Sequence, residues 1–257
     1  MKSGSGERYR QRWLVYLDIL GYREMVQAAA DGRGIPSLLR QLRQAIDVTL
    51  DLGNRQSVFH LSRDAKTRVL GDAVYVTTAA TPRGALRALR SAASLACMFA
   101  LQGLFVRGGI ARGGHFDDGT VLLSPALVAA HELEAQAVYP RVAVAAELLQ
   151  ALEPERRFDR QVSELLRRDS DGMWYVHHLQ LLTYFDSYWH GPPGDILAEY
   201  LPIHRAEIER RWRNAPETER VHAKYEWLAL YHNRFCHEVV APEMAHRYLV
   251  DLGNSRA

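Results

Sequence analysis

Two stretches decide how the chain is read: Trp13-Leu14-Val15-Tyr16-Leu17-Asp18-Ile19-Leu20-Gly21-Tyr22 and Arg68-Val69-Leu70-Gly71-Asp72-Ala73-Val74-Tyr75-Val76. Each is an apolar, strand-like run that meets a single carboxylate. In the first, the run passes straight into a glycine and then a helical pattern. In the second, Gly71-Asp72 sits between two β-rich runs, as at the tip of a hairpin. A lone carboxylate on a half-buried strand is costly unless it is compensated. Two such carboxylates point to a shared divalent cation, because Mg²⁺ and Mn²⁺ take one or two carboxylates, a carbonyl and substrate phosphates. The alternative is local: Asp18 as a helix N-cap and Asp72 as a turn residue.

Working outward, Trp13 to Asp18 is the first strand, and alternation puts Tyr16 on the same face as Asp18. Tyr22 to Ala30 reads as a helix whose first N–H groups, beside Leu20 and Gly21, are free for phosphate oxygens. Asp31 to Gly34 breaks it. Leu38, Leu39, Leu42, Ile46 and Leu50 mark a second helix over 35–52, closed by Gly53-Asn54. Strands follow over 57–61, 67–70 and 73–78. Thr81-Pro82 caps a helix over 83–101 with an Ala/Leu stripe. Leu104 to Ala111 is a strand in which Gly108-Gly109 allows close approach of a backbone or ligand. Gly113-Gly114 and Asp117-Asp118-Gly119 read as turns, and Val121 to Leu123 as short and extended. Ser124-Pro125 starts a helix to about Ala137, and Arg141 to Val144 is a strand. This order predicts an α+β fold: a mainly antiparallel sheet with helices on one face and the site on the other.

Beyond Ala151 the pattern turns mainly helical, over 153–168, 195–213 and 217–238, with a small strand at 173–176 and a loop at 186–194. The expected organisation is a flexible N-terminus (1–11), a catalytic domain (12–151) and a mainly helical C-terminal appendage (152–257).

With 32 Lys plus Arg against 30 Asp plus Glu, the net charge of +2 gives no polyelectrolyte signal, so neither direct nucleic-acid binding nor a charged membrane surface is expected. Arg63, Arg68, Arg107, Arg112 and Arg141 cluster near the strands and suit a small anion. Cys97 and Cys236 are too far apart in sequence for a disulfide framework, and Cys97 sits in an apolar helical run. The polar N-terminus and the lack of an apolar span make a cytoplasmic protein the expectation. His177-His178 alternate faces and do not form a metal pair. His232 and His237 are not at i, i+4 spacing, so that stretch reads as helix packing. Asp117-Asp118-Gly119 lacks the remaining ligands of a calcium loop. No Gly-Lys-Ser/Thr follows the glycine pairs, and Ser124 has no His–Asp context.

Tyr16 to Tyr22 resembles the first metal motif of class III nucleotidyl cyclases, Arg68 to Ala73 the second, and Arg107-Gly108-Gly109-Ile110-Ala111-Arg112-Gly113 the strand that follows. The order and spacing agree over roughly residues 12–149. Ser124 to Glu134 with Tyr139-Pro140-Arg141-Val142 is most similar to the bacterial pyrimidine cyclases of the Pycsar anti-phage system. The resemblance implies a class III cyclase fold, a head-to-tail homodimer with composite sites, and two divalent cations per site, Mn²⁺ or Mg²⁺. Asp18, Asp72 and the carbonyl of Ile19 would hold them. The implied reaction is attack of a ribose 3′-hydroxyl on the α-phosphate, and the implied biology is a second messenger read by a separate effector.

The chain departs from the family pattern in two places. The positions that read a purine fall on Arg68 and Val121, so Tyr16 and Arg68 are expected to read a pyrimidine, UTP ahead of CTP by the acceptors of uracil. The alternative leaves Tyr16 in the core and Arg68 in a surface ion pair. The transition-state Asn and Arg fall on Val128 and Glu132, so Arg112 and Arg141, with Arg107, are expected to take their place. If none does, the chain is a nucleotide-binding or dimerisation module without turnover. A purine cyclase is the third possibility.

Overall fold

The structure, a computed structural model, describes residues 9–29, 35–54, 66–216 and 218–253. The strand expected over 57–61 and Arg63 lie outside the described residues. The first half runs β1 (Arg10–Ile19), α1 (Tyr22–Ala28), α2 (Ile35–Asn54), β2 (Lys66–Leu70), β3 (Ala73–Ala79), α3 (Pro82–Leu101), β4 (Val106–Asp117), β5 (Leu122–Leu123), α4 (Pro125–Ala137) and β6 (Val142–Val144). The second half adds α5 (Ala146–Phe158), α6 (Arg160–Glu164), β7 (Leu166–Arg168), β8 (Trp174–Val176), α7 (Gln180–Tyr188), α8 (Asp195–Arg213), α9 (Glu219–Val239) and α10 (Pro242–Ala245). The sheet order is β2-β3-β1-β4-β6-β8-β7, with β5 on β4. Every pairing is antiparallel except β4 with β6. The architecture is the α+β class expected.

Alternation along β1 divides the core. Trp13, Val15, Leu17 and Ile19 face α3, whose alanines Ala85, Ala88, Ala92 and Ala96 let the helix lie close to the sheet. Thr81 caps α3 by accepting from Gly84 N at 3.0 Å, with Pro82 in the first turn. By length and composition α3 alone among the described helices is long and apolar enough to cross a membrane, yet 78% of that window is buried inside the fold.

The other face is only partly open. Leu14, Tyr75 and Ala111 pack there against Ala126 and Ala130 of α4. A Cβ on Gly109 would lie 2.3 Å from the Ala130 carbonyl oxygen. The bare strand surface read from Gly108-Gly109 therefore receives the backbone of α4, not a ligand. Gly113 and Gly114 do not turn the chain. They stay extended in β4 because Arg12 and Gln11 of β1 pair with them, and Gly114 leaves room for the Tyr9 ring. Arg10 and Gln11 accordingly belong to β1. Gly53 and Asn54 lie within α2. The charged segment after residue 151 breaks where Asp159 accepts from Gln161 N and caps α6, so 166–168 become a strand.

The second half shares the core of the first. β8 pairs with β6, and Val162, Leu179, Leu201, Tyr231 and Phe235 join the same buried cluster as Val15 and Phe99. Four histidines are sealed in this region. The Tyr248 carbonyl, 2.9 Å from His232 Nε2, requires a proton on that nitrogen. His232 Nδ1 then accepts from His204 Nδ1 at 2.9 Å, and His204 Nε2 is left bare and buried. His177 Nδ1 meets the Tyr231 hydroxyl at 2.8 Å, and His178 lies against the Tyr231 ring.

Two outcomes follow. Gly109→Ala should cost about 3 kcal/mol in urea unfolding, since the obstruction is backbone; a loss within experimental error would show that α4 does not sit this close. Burial lowers His178 to about 3 and His232 to about 4, and holds His177 and His204 well below 6.5. Between those values and pH 6.5 the unfolded chain binds protons that the folded chain refuses. Stability is therefore whole above about pH 6.5 and falls toward pH 4, by up to about 1.4 kcal/mol per pH unit for each histidine. Thermal unfolding across that range checks the slope, and His178→Leu should make it shallower.

Candidate functional site

The carboxyl end of β1 and the β2–β3 turn bring the two aspartates together. Asp18 lies opposite Ala73 on one side and Arg107 on the other. The turn is closed by Gly71 at φ 62°, and Ile19 N donates to the Asp72 carbonyl at 2.9 Å. Asp72 is exposed and Asp18 half-buried, so the pair borders solvent. The donor set of two carboxylates and the Ile19 carbonyl is oxygen-only and suits a hard cation that completes its shell with water and phosphate. Among the described residues no group of three or more His, Cys, Asp or Glu side chains could hold a metal ion unaided.

The sheet also supplies a resident cation. Arg107 Nε donates to Asp18 Oδ2 at 3.0 Å and lies 2.5 Å from Glu134 Oε1. Glu134 comes from α4 and is buried, its position set by the close approach at Gly109. Burial raises the Asp18 carboxyl; Arg107 opposes that rise and the Asp72 charge adds to it. Glu134 is likewise raised by burial, with Arg107 opposing and Asp18 adding. Lys224 of α9 acts on the same carboxylates, and its own value is lowered by burial and by Arg107. Tyr16 is pushed up to about 12 by burial first, then by Asp18, Glu134 and Asp72. Its ring meets His131 edge-on at 5.5 Å.

The other expected site residues scatter. Arg68 is held by Asp117 through Nε at 3.0 Å and Nη2 at 3.1 Å, and Tyr75 donates to the same carboxylate at 3.0 Å. Burial would raise the Asp117 carboxyl, but hydrogen bonds from Gly119 N and Tyr75 and the Arg68 charge hold it low. Tyr75 stands between Tyr16 and Arg68 in one cross-strand row, so the two expected base readers do not adjoin. Arg112 pairs with Trp13 and lies over its ring at 5.9 Å, on the sheet face opposite Asp18. Arg141 is fully buried and ion-paired with Asp169 and Asp171. Neither reaches the aspartates. Leu20 is core, packed with Phe105 and Ile208. Gly21 makes the turn at φ 72°, and Tyr22 opens α1 half-buried. Val128 and Glu132 are exposed on α4.

Glu134, Lys224 and Asp117 were not read as site residues from sequence. For Glu134 a signal existed: Ala126, Ala130, Glu134 and Ala137 form the buried face of α4 at helical spacing. Lys224 arrives through tertiary packing alone. Asp117 reads as a turn residue and is one, since it also accepts from Gly119 N at 2.8 Å.

No family model and no curated protein matches the chain. Among solved structures it is similar to a class III adenylyl cyclase-like ATP-binding protein from Pseudomonas aeruginosa, at 14% identity and a TM-score of 0.43. The match covers 57% of this chain and 36% of that one.

Removing Arg107 tests the electrostatics. In Arg107→Ala, Asp18 and Glu134 lose their shared counter-ion, so both folded-state values rise further above the unfolded ones. The folded state then holds protons that the unfolded state releases, and stability falls as pH rises. We expect a loss of about 2 kcal/mol at pH 8 that shrinks at pH 5. Adding Glu134→Gln should restore part of it at pH 8. Equal losses at both pH values would contradict the arrangement.

Proposed function

We propose that the chain is a nucleotidyl cyclase of the class III type, acting on a pyrimidine nucleoside triphosphate, UTP ahead of CTP, to give a 3′,5′-cyclic monophosphate and pyrophosphate. The observation that carries this reading is the meeting of Asp18, Ile19 and Asp72 at the end of β1, with Arg107 bound to Asp18. In the reaction a bond forms between the ribose 3′-oxygen and the α-phosphorus, the bond to the β-phosphate oxygen breaks, and the hydroxyl proton is released. Such transfers depend on positioning and charge stabilisation more than on covalent chemistry by the protein. Asp18, Asp72 and the Ile19 carbonyl would hold Mg²⁺ or Mn²⁺, two ions per site, which would acidify the hydroxyl and neutralise the phosphates.

Of the arginines proposed to replace the family's transition-state pair, Arg107 is the one beside the aspartates. Its guanidinium, held between Asp18 and Glu134, would face charge developing on the α-phosphate. Tyr16, on the Asp18 face, would pack against the base. Arg68 would reach it only with the edge that Asp117 leaves, Nη1, which weakens the preference for uracil over cytosine. A homodimer with shared sites, a cytoplasmic setting, a role in anti-phage defence and a separate effector are proposed from the sequence resemblance alone.

One observation favours the second reading, a nucleotide-binding module without turnover. Val128 and Glu132 replace the family pair, while Arg112 and Arg141 are engaged elsewhere. The test is incubation of the purified protein with each of the four NTPs, with Mn²⁺ and then Mg²⁺, resolving products against cyclic standards. A cyclic pyrimidine product, lost at least about 100-fold in Asp72→Asn, is expected. Turnover of ATP or GTP instead would make it a purine cyclase, and no product from a folded protein would leave the binding module.

A further inference from the structure

A cleft of about 790 Å³ opens beside the β1–α1 turn, between α1–α2 on one side and α8–α9 on the other. Its lining includes Leu20, Gly21, Gln102, Arg210, Arg211 and Lys224. Two of these cations are already satisfied. Arg210 donates to Glu207 at 2.8 and 2.6 Å, and Arg211 donates to Glu207 at 2.7 Å and to the Gly103 carbonyl at 2.8 Å. The Arg211 guanidinium lies over Gly21, 3.3 Å from where a Cβ would stand, and so ties α8 to the turn that follows Asp18. Lys224 differs. It is half-buried, and among the described residues no carboxylate comes within 4.0 Å of its ammonium. Its charge interacts with Asp18 and Glu134 from a distance, against repulsion from Arg107 and Arg220.

A partly desolvated ammonium without a close anion loses hydration that nothing nearby returns. Phosphate oxygens are a partner that such a point charge suits. We infer that Lys224 binds the polyphosphate tail of the nucleotide in this cleft, so that the C-terminal helices complete the site begun by β1. The inference rests on the nucleotide reading above and assigns the tail to this side of Gly21. It gives α9 a direct part in binding: the residue comes from the mainly helical second half, 206 residues after Asp18 in sequence, and reaches the site only because α8 and α9 pack against the first half.

The test separates this from the proposed reaction by measuring binding of inorganic tripolyphosphate, in Mg²⁺, by titration calorimetry with the full chain. Lys224→Ala should weaken binding about tenfold. Lys224→Arg, which keeps the charge, should stay within about threefold. Arg160→Ala removes an exposed charge on α6 and should change nothing. Circular dichroism establishes that each variant folds, and Lys224→Gln serves if the alanine variant does not. The inference fails if wild type does not bind tripolyphosphate, if Lys224→Ala binds as wild type does, or if Arg160→Ala loses as much. None of these readouts depends on turnover. Unchanged binding in Lys224→Ala beside a cyclic product from wild type would remove Lys224 and leave the cyclase reading. Weakened binding with no product from any NTP would do the reverse.

Discussion

A carboxylate buried at the end of a central strand is tolerated only if a cation is fixed beside it, and the arrangement of this molecule follows from how Asp18 meets that demand. The antiparallel pairing of β1 with β4 puts Arg107 directly across from Asp18. The same guanidinium faces Glu134, which is buried on α4. Two half-compensated acids therefore share one base, and burial raises both carboxyls even so. Here the two acids lie beside the exposed Asp72, and perturbed groups of this kind mark functional sites as well as structural networks.

Geometry makes that imbalance possible. Glu134 reaches Arg107 because α4 lies against the sheet with a backbone carbonyl where any side chain on residue 109 would stand. The small residues Ala126 and Ala130 allow the same approach from the helix side. The second half of the chain contributes in a comparable way. It lengthens the sheet with β7 and β8, and it buries Arg141 beneath Asp169 and Asp171, with Trp227 donating to Asp169 at 2.8 Å. That network fixes α9 against β6. Asn233 then clasps both the N–H and the carbonyl of Val250, which holds the following segment along the helix. The boundary read at 151/152 marks a change in composition, and the hydrophobic core runs across it.

Much of this was legible in the sequence, and what was not shares a cause. The strands carrying Asp18 and Asp72, the capped helix after Thr81 and the Ser124-Pro125 start were readable because period, cap and turn chemistry are local signals. The roles of arginines were not, because they depend on what lies opposite. Arg112, only a few residues from Arg107, faces the other side of the sheet and covers Trp13. Arg141 sits in a motif-like run, but its partners are twenty-eight and thirty residues away. Arg68 has two readings in the sequence, a base-reading fork or an ion pair, and the sequence does not show the Asp117 carboxylate that takes up two of its donors. Gly113-Gly114 misled for a related reason: turn propensity gave way to the pairing that β1 imposes.

The charges at the site bear on what it can accept. Asp18, Asp72 and Glu134 supply three negative groups when ionised, and Arg107 and Lys224 two positive ones, a balance of −1. A triphosphate carries several negative charges of its own, and bringing it to a net-negative, partly desolvated site is unfavourable in proportion to how well water is excluded. A divalent cation reverses that sign. On the reading proposed above, a cation held by Asp18 and Asp72 would supply the charge that Arg107 now gives Asp18, and Arg107, still paired with Glu134, would have donors for a phosphate. On that reading the three carboxylates and two basic groups would act as one unit: the acids would hold cations at one end, and the bases would meet the anion those cations bring.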